Sequence, residues 1–423
     1  MIGAATGTPP PAGQRLSDTT RVPIRAEYEP PPPAGAVSLT TELFPNESTT
    51  PLLPEGVADM AGDPDSIIEA NKRWTFSIEA RSIYDDNIFL SSKGKKQRAV
   101  VFLLTPSVTY RRGDTTGRRE SYITAGYSPS ASFFVDESSE DSVDHTARFD
   151  AQKRFGNLAV GLEGRYQRLS GATVELSDRV DRDEAGARLR ARYDFSGRTS
   201  AEASLAWNTV NYRETALADY DEWVAETFVG YQLSGRTRMA VGGAIGSMDV
   251  YGRESQDFTR ALVKVTTEAT GKLTLDAKGG VEFRDTGAGS QTTPVFNVSA
   301  EYRLTGRALI GASVYREVTA SGSIEDENVT RTGAAVRVQQ KLGSRLTAGV
   351  EAGIEQLEYA ASEAGAPGSG REDEYFFIRP SLRYEFKEGR RAEIYYSLRA
   401  DNSSISIFDF EANQTGFAFA FDF

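Results

Sequence analysis

Few residue types in this 423-residue chain could carry chemistry, and the commonest of them recur at every second position. There is one histidine, His145, and no cysteine. A nucleophilic triad would have to join His145 to a serine and an acid, and no Gly-x-Ser-x-Gly turn is present to hold such a serine. Zinc spacings, haem motifs and glycine-rich phosphate loops are also missing. Neighbouring carboxylates, Asp85 with Asp86 and Asp181 with Asp183, have the hard oxygens that calcium or lipopolysaccharide-bridging cations prefer, but a solvated loop face accounts for them more simply. The expectation is therefore no enzyme, no cofactor and no resident metal.

What remains is alternating charge. Glu163 and Arg165 are two residues apart, as are Arg188, Arg190 and Arg192, and Glu301 and Arg303. Arg337, Glu351, Arg379, Arg383, Glu393 and Arg399 stand in stretches of the same texture. Apolar residues fill the positions between. Ala185, Ala187, Leu189, Ala191, Tyr193 and Phe195 interleave with the arginine triplet, and Phe376, Ile378, Leu382, Tyr384 and Phe386 with Arg379 and Arg383. Successive side chains of a strand point to opposite faces, so each stretch has one apolar and one charged face.

This texture begins at Arg73 and continues to Phe423. Composition, 39% hydrophobic and 26% charged, would suit a soluble protein as well, so the pattern has to decide. No apolar run approaches the roughly eighteen residues of a membrane helix. A soluble propeller or sandwich would be expected to include near-continuous apolar core strands, whereas here the half-polar pattern persists over about 350 residues. A closed transmembrane barrel explains a sheet that stays half polar throughout, because lipid meets only every second residue. The charged residues named above are then expected to line a water-filled lumen. Aromatic lumen residues such as Tyr375, Phe377 and Tyr395 could stack on sugar rings or simply fill space.

The breaks between strands are of two kinds. Short ones, such as Ser196-Gly197-Arg198, Ser234-Gly235-Arg236, Thr270-Gly271-Lys272 and Thr305-Gly306-Arg307, recur once per hairpin, with glycine expected to supply the positive φ of a tight turn. Longer polar breaks lie between them: Ser91 to Gln97, Glu137 to Ser142, Gly171 to Asp178 and Ala360 to Asp373. Short turns on one side and long loops on the other are the habit of bacterial outer-membrane barrels. The count is about eighteen antiparallel strands (sixteen to twenty) over residues 73–423, in an all-β fold with both ends on the short-turn, periplasmic side. Of the longer breaks, Ala360 to Asp373 is the best candidate for a constriction.

Residues 1–72 differ. Pro9 to Pro11 and Pro30 to Pro33 make this block an extended periplasmic or lumen-filling arm, with a short helix expected near Asp65 to Asn71. Met1 to Gly13 lacks the basic start and apolar core of a signal peptide, so the numbering is expected to begin in a mature or trimmed chain. The net charge of −12 argues against a nucleic-acid partner, since phosphate binding needs a cationic face. At the other end Phe417, Phe419, Phe421 and Phe423 alternate up to a terminal phenylalanine, the form of signal read by the outer-membrane assembly machinery.

The stretch Tyr84-Asp85-Asp86-Asn87-Ile88-Phe89-Leu90, followed by Leu104-Thr105-Pro106-Ser107-Val108, resembles the opening of the β-barrel porin 2 family of outer-membrane proteins. About a tenth of the chain carries that resemblance. It implies a Gram-negative outer-membrane pore for an exopolysaccharide, embedded in lipid and lipopolysaccharide and working with periplasmic polysaccharide-export proteins. A general or solute-selective diffusion porin and a plugged structural or assembly barrel are the alternatives. Within the motif, Asp86 and Asn87 suit the start of a turn, after which Ile88 and Phe89 fold back over the rim, as a loop staple or as a ligand contact beside Asp85.

Overall fold

The two-residue alternation is realised as strand almost everywhere. The computed structural model describes residues 73–114, 121–214, 217–286, 289–323, 326–361, 370–387 and 389–423. The N-terminal arm, with its expected helix, lies outside them. In chain order the strands are β1 Trp74–Asp85, β2 Ala99–Asp114, β3 Ser121–Phe134, β4 Ser142–Phe155, β5 Leu158–Thr173, β6 Asp178–Asp194, β7 Thr199–Tyr212, β8 Tyr220–Gln232 and β9 Thr237–Val250. The second half continues as β10 Gln256–Thr270, β11 Leu273–Thr286, β12 Gly289–Thr305, β13 Ala308–Thr319, β14 Asp326–Lys341, β15 Leu346–Ala361, β16 Glu372–Lys387, β17 Arg390–Ser403 and β18 Phe410–Asp422. Each pairs antiparallel with its sequence neighbours, and β1 pairs with β18 (Ile78↔Phe421 to Asp85↔Gln414), closing an 18-stranded ring.

Closure removes every free edge, the one solution that lets a sheet cross hydrocarbon. It also defines an inside and an outside. In β1, Glu79, Arg81, Ile83 and Asp85 are buried on the inner face, while Trp74, Phe76 and Tyr84 are about half exposed on the outer. This inverts a soluble protein: charge is inside and large apolar side chains are outside. Leu205 is 52% exposed, Val241 61% and Ile354 46%, and such residues ring the barrel. A contiguous apolar belt of that extent needs lipid to cover it.

Aromatic girdles edge the belt. At the short-turn end Trp74 meets Tyr110 with ring centroids 4.7 Å apart, and Tyr384, Phe386, Phe419 and Phe421 form a chain of ring contacts at 5.0, 5.6 and 4.6 Å. Toward the other end Tyr84, Phe133, Trp207, Trp223, Phe283 and Tyr396 face outward. Strands of 12 to 17 residues exceed the roughly 9 to 11 that span hydrocarbon. The surplus carries polar pairs on the outer face near the long-loop end, such as Arg168 with Asp183 at 2.9 Å and Arg316 with Glu358 at 3.2 Å. His145 belongs to this zone, its Nδ1 2.8 Å from the Tyr127 hydroxyl.

The short turns depend on hydroxyls more than on glycine. Ser196 Oγ accepts hydrogen bonds from the Arg198 and Thr199 amides at 3.1 Å each, and Ser234 and Thr270 repeat the arrangement. Gly156 (φ 60°) and Gly389 (φ 72°) adopt the expected left-handed conformation, but Gly197, Gly235, Gly271 and Gly306 do not. The side-chain-to-backbone bond of a Ser/Thr turn shapes those four instead. One expected loop is also shorter than its polarity suggests. Gly171, Ala172 and Thr173 pair with Val180, Arg179 and Asp178, so only residues 174–177 connect β5 to β6.

The inside–outside assignment is open to measurement. Leu205→Arg or Ile354→Arg, on the lipid face, is expected to cost about 2–4 kcal/mol in urea unfolding from lipid vesicles. Asn297→Arg, on the exposed inner face of β12, is expected to change stability by less than about 0.5 kcal/mol.

Candidate functional site

The inner face is a wall of ion pairs. Glu163, Arg165, Arg188, Arg190, Arg192, Glu301, Arg303, Arg337, Glu351, Arg379, Arg383, Glu393 and Arg399 all stand on it, and each has an oppositely charged partner. Partners come mostly from neighbouring strands. Glu163 pairs with Arg190 of β6, and Arg190 also reaches Asp150 of β4 at 3.0 Å, while Arg165 goes to Glu184 at 3.3 Å. Directly opposite residues on adjacent strands are only about 5 Å apart, so cross-strand pairing is within easy reach. Arg379 and Arg383 share Glu393 at 2.9 and 3.1 Å, and Arg192 bonds Asp194 at 3.0 Å. Arg303 with Glu301 (3.3 Å) is the most solvent-exposed of these pairs, and it lies with Arg337–Glu351 (3.3 Å) toward the short-turn end.

Glycines let these long side chains lie flat. Gly161 is opposite Arg190, and a Cβ there would lie 2.5 Å from Arg190 Nε. Gly230 does the same for Arg238, whose Nη2 bonds Glu202 at 2.7 Å. The lumen cations are thus held against the wall and neutralised there.

A tighter girdle sits nearer the long-loop end. Glu282, fully buried, accepts from Arg260 at 2.6 Å and Arg284 at 2.7 Å, and both guanidiniums lie 4.4 Å from the Phe258 ring centre. Gln256 Oε1 accepts from Arg284 of β11 (3.2 Å) and from Asn328 of β14 (3.3 Å). A few strands further round the ring, Glu355 takes Arg331 Nε at 2.7 Å and the Tyr315 hydroxyl at 2.6 Å. The two-residue alternation that marks the other charges runs through these residues too.

Beyond the girdle the barrel is filled. Leu90, Ala172, Val174, Val329, Leu357, Tyr359, Tyr375, Phe410 and Ala412 form one buried cluster, with Phe377 against it. Connections fold inward to make it. Glu175, only 3% exposed, accepts from Ser321 Oγ at 2.6 Å and from the Gly322 amide at 2.8 Å, which joins the β5–β6 turn to the β13–β14 connection. Leu217 bridges Ser323, and the Ala218 amide donates to Gly322 O at 2.9 Å. Ser177 Oγ donates to Phe408 O at 3.3 Å, and Arg371 is sandwiched between the Phe408 and Tyr359 rings. Beneath this lid lies a cavity of about 20 Å³, lined by Glu175, Glu184, Tyr212, Tyr220, Arg331 and Leu357 among others, room for about one water.

The constriction is therefore shared among several connections. Residues 362–369 of the expected Ala360 to Asp373 element lie outside the described residues. Of the two uses open to the lumen aromatics, filling space is the one seen. Tyr375 and Phe377 pack in the buried cluster, and Tyr395 has the guanidiniums of Arg379 and Arg81 at 4.4 and 5.9 Å from its ring centre. No bare ring face remains there for a sugar.

The Asp85–Leu90 motif is a clasp on the seam. Asp85 points inward and accepts from the Asn87 amide (2.8 Å), Gln414 Nε2 (2.6 Å) and Arg399 Nη2 (3.3 Å). Asp86 accepts from the Asn413 amide and side chain at 2.7 and 2.9 Å, and pairs with Lys96 at 3.5 Å. Asn87, fully buried, bonds Ser91 through both ends of its amide and also reaches Glu411 O. Ile88 and Phe89 join a second apolar cluster under the rim, and Leu90 enters the mouth. The polar groups of the motif are spent on β18 and on their own turn, which makes it a structural staple. Phe417 and Phe423 are exposed on the outer face, and Phe419 and Phe421 are partly covered by neighbouring rings.

No family model and no curated protein matches the chain. Among solved structures it is similar to the siderophore receptor PirA from Pseudomonas aeruginosa (8% identity, 83% of this chain and 80% of that one, TM-score 0.39). It is also similar to OpdK from the same organism, solved with vanillate (12%, 83% and 98%, 0.41), and to OccAB3 of Acinetobacter baumannii (10%, 83% and 99%, 0.42). At these identities and TM-scores nothing of their ligands or sites transfers.

The clasp yields a stability prediction. Asp85→Ala leaves Arg399 buried without its acid, a change expected to cost about 3–5 kcal/mol. It is read as a lowered urea midpoint and a lower temperature for loss of the compact electrophoretic form. Asp86→Ala, on the wetter outer side, is expected to cost about 1–3 kcal/mol, mainly for the Asn413 hydrogen bonds it removes.

Proposed function

We propose that this protein is an outer-membrane pore for small hydrophilic solutes, with its short-turn end and both termini in the periplasm. The supporting observation is a closed 18-stranded ring whose inner wall is charged, whose outer wall is apolar, and whose mouth is narrowed by inward-folded connections. Barrels of sixteen to eighteen strands are wide enough for an aqueous channel. Loops that reduce this width favour solute-selective diffusion over export of a hydrated exopolysaccharide, the reading implied by family resemblance. A polymer chain needs a continuous wide exit and free ring faces, and here Tyr375, Phe377 and Tyr395 are covered.

In this reading the wall pairs present both signs to a passing solute without trapping it. Any one exposed pair contributes no more than about 1 kcal/mol, so a permeant can exchange with it quickly. The alternating phenylalanines of β18 are read by the assembly machinery, lipopolysaccharide surrounds the outward polar zone, and no catalysis takes place. The filled mouth also favours a second reading, a sealed structural barrel.

Reconstitution separates the readings. Planar bilayers containing the protein are expected to show discrete ion-conducting openings, and liposomes to swell in monosaccharides and amino acids but not in long glucans. Passage of long glucans would restore the polymer reading. Silence in both assays, with the barrel folded, would leave only the structural one.

A further inference from the structure

The contacts that fill the mouth differ in kind from those that build the wall. Among the described residues only two non-glycine residues have positive φ, Leu90 (55°) and Ser177 (49°), and both are in segments that close the mouth. Backbone held in the left-handed region costs energy for residues with a Cβ and persists where the surroundings enforce it. Leu90 is fully buried among side chains of β14, β15, β16 and β18. Ser177 ends the turn that carries Val174 and Glu175 into the lumen.

Among the described residues Glu175 joins two connections that come from distant walls of the bore. Its turn lies between β5 and β6 and its partners between β13 and β14, on nearly opposite walls of the ring. Glu163, Glu282 and Glu393 on the wall are gripped by guanidiniums; Glu175 is held by a hydroxyl and a backbone amide. Gly322 completes the fit, since a Cβ there would lie 2.6 Å from the Tyr212 hydroxyl oxygen. The bar formed by Leu217 with Ser323 rests on the same segment.

We infer that residues 174–177 and 320–323 form a releasable gate, latched shut by Glu175 on Ser321 and Gly322, with Leu90 as its apolar stopper. The proposal rests on the pore reading above. When the latch lets go, the turn carrying Val174 relaxes toward solvent and the cavity between Tyr212 and Leu357 joins the lumen. The strand ladders and the wall pairs are untouched by this movement, so the barrel stays whole while its mouth opens.

Single-channel recording in planar bilayers tests it, on wild type, Glu175→Ala, Ser321→Ala and Gly322→Val. Glu175→Ala removes the acceptor, and Gly322→Val forces the segment off Tyr212 while keeping the acid. Loss of a charge-assisted hydrogen bond predicts that Glu175→Ala and Gly322→Val each raise open probability about tenfold or more. Ser321→Ala, which leaves the amide donor, is expected to give a smaller rise, and unit conductance once open should match wild type. Heat-modifiable mobility confirms folding of each variant. If folded variants gate as wild type does, the latch is wrong and the pore reading stands. If wild type and all variants, including the triple substitution, pass no current, the pore reading itself fails.

Discussion

Pairing of β1 with β18 is the contact on which the rest of the structure depends. Until Ile78 meets Phe421 and Asp85 meets Gln414, the sheet has two edges with bare amides and carbonyls, and hydrocarbon offers them no partner. Closure is also what separates a lipid face from a water face. The residues that bind the seam come from opposite ends of the barrel sequence, so the ring is finished by the longest-range contacts in the fold. Asp85 and Asp86 reinforce it from both faces, one reaching Gln414 and Arg399 inside, the other Asn413 outside.

A closed ring inverts the usual packing problem. The apolar side chains have lipid as solvent and need no partners, while the charged ones share a confined interior and must satisfy one another. A buried unpaired charge is far more costly than any pair is favourable, so the wall organises into chains such as Asp150–Arg190–Glu163. Such chains need room along the wall. Gly161 and Gly230 provide it beneath Arg190 and Arg238, and Gly416 does so beside Tyr395, where a Cβ would press into the ring.

Alternation carries most of this into the sequence. The facing of Arg188, Leu189 and Arg190 can be read from their order alone, because a strand offers only two faces. The strand number follows from turns that recur once per hairpin. What alternation cannot carry is which strand's acid an arginine meets, since Glu163 is two residues from Arg165 and yet bonds Arg190. Nor does polarity mark where a ladder ends: Gly171 to Thr173 look like loop and are strand, because their partners in β6 hold them. The mouth was least legible. Leu90, Val174 and Ser321 have nothing in common along the chain, and only the ring brings them together.

The two regions also differ in how they can move. Each strand is held on both sides by a full ladder, and displacing one would expose backbone groups to lipid, which confines large motion to the ends. At the short-turn end the hydroxyl-capped turns leave little chain to move. At the other end the connections carry apolar side chains into the bore, and two of them do so through backbone conformations that unrestrained residues avoid. The concentration of such backbone in connections that fill the mouth sets these apart from the wall, and in the proposed gated pore that mouth is where selection among solutes is exercised without risk to the barrel.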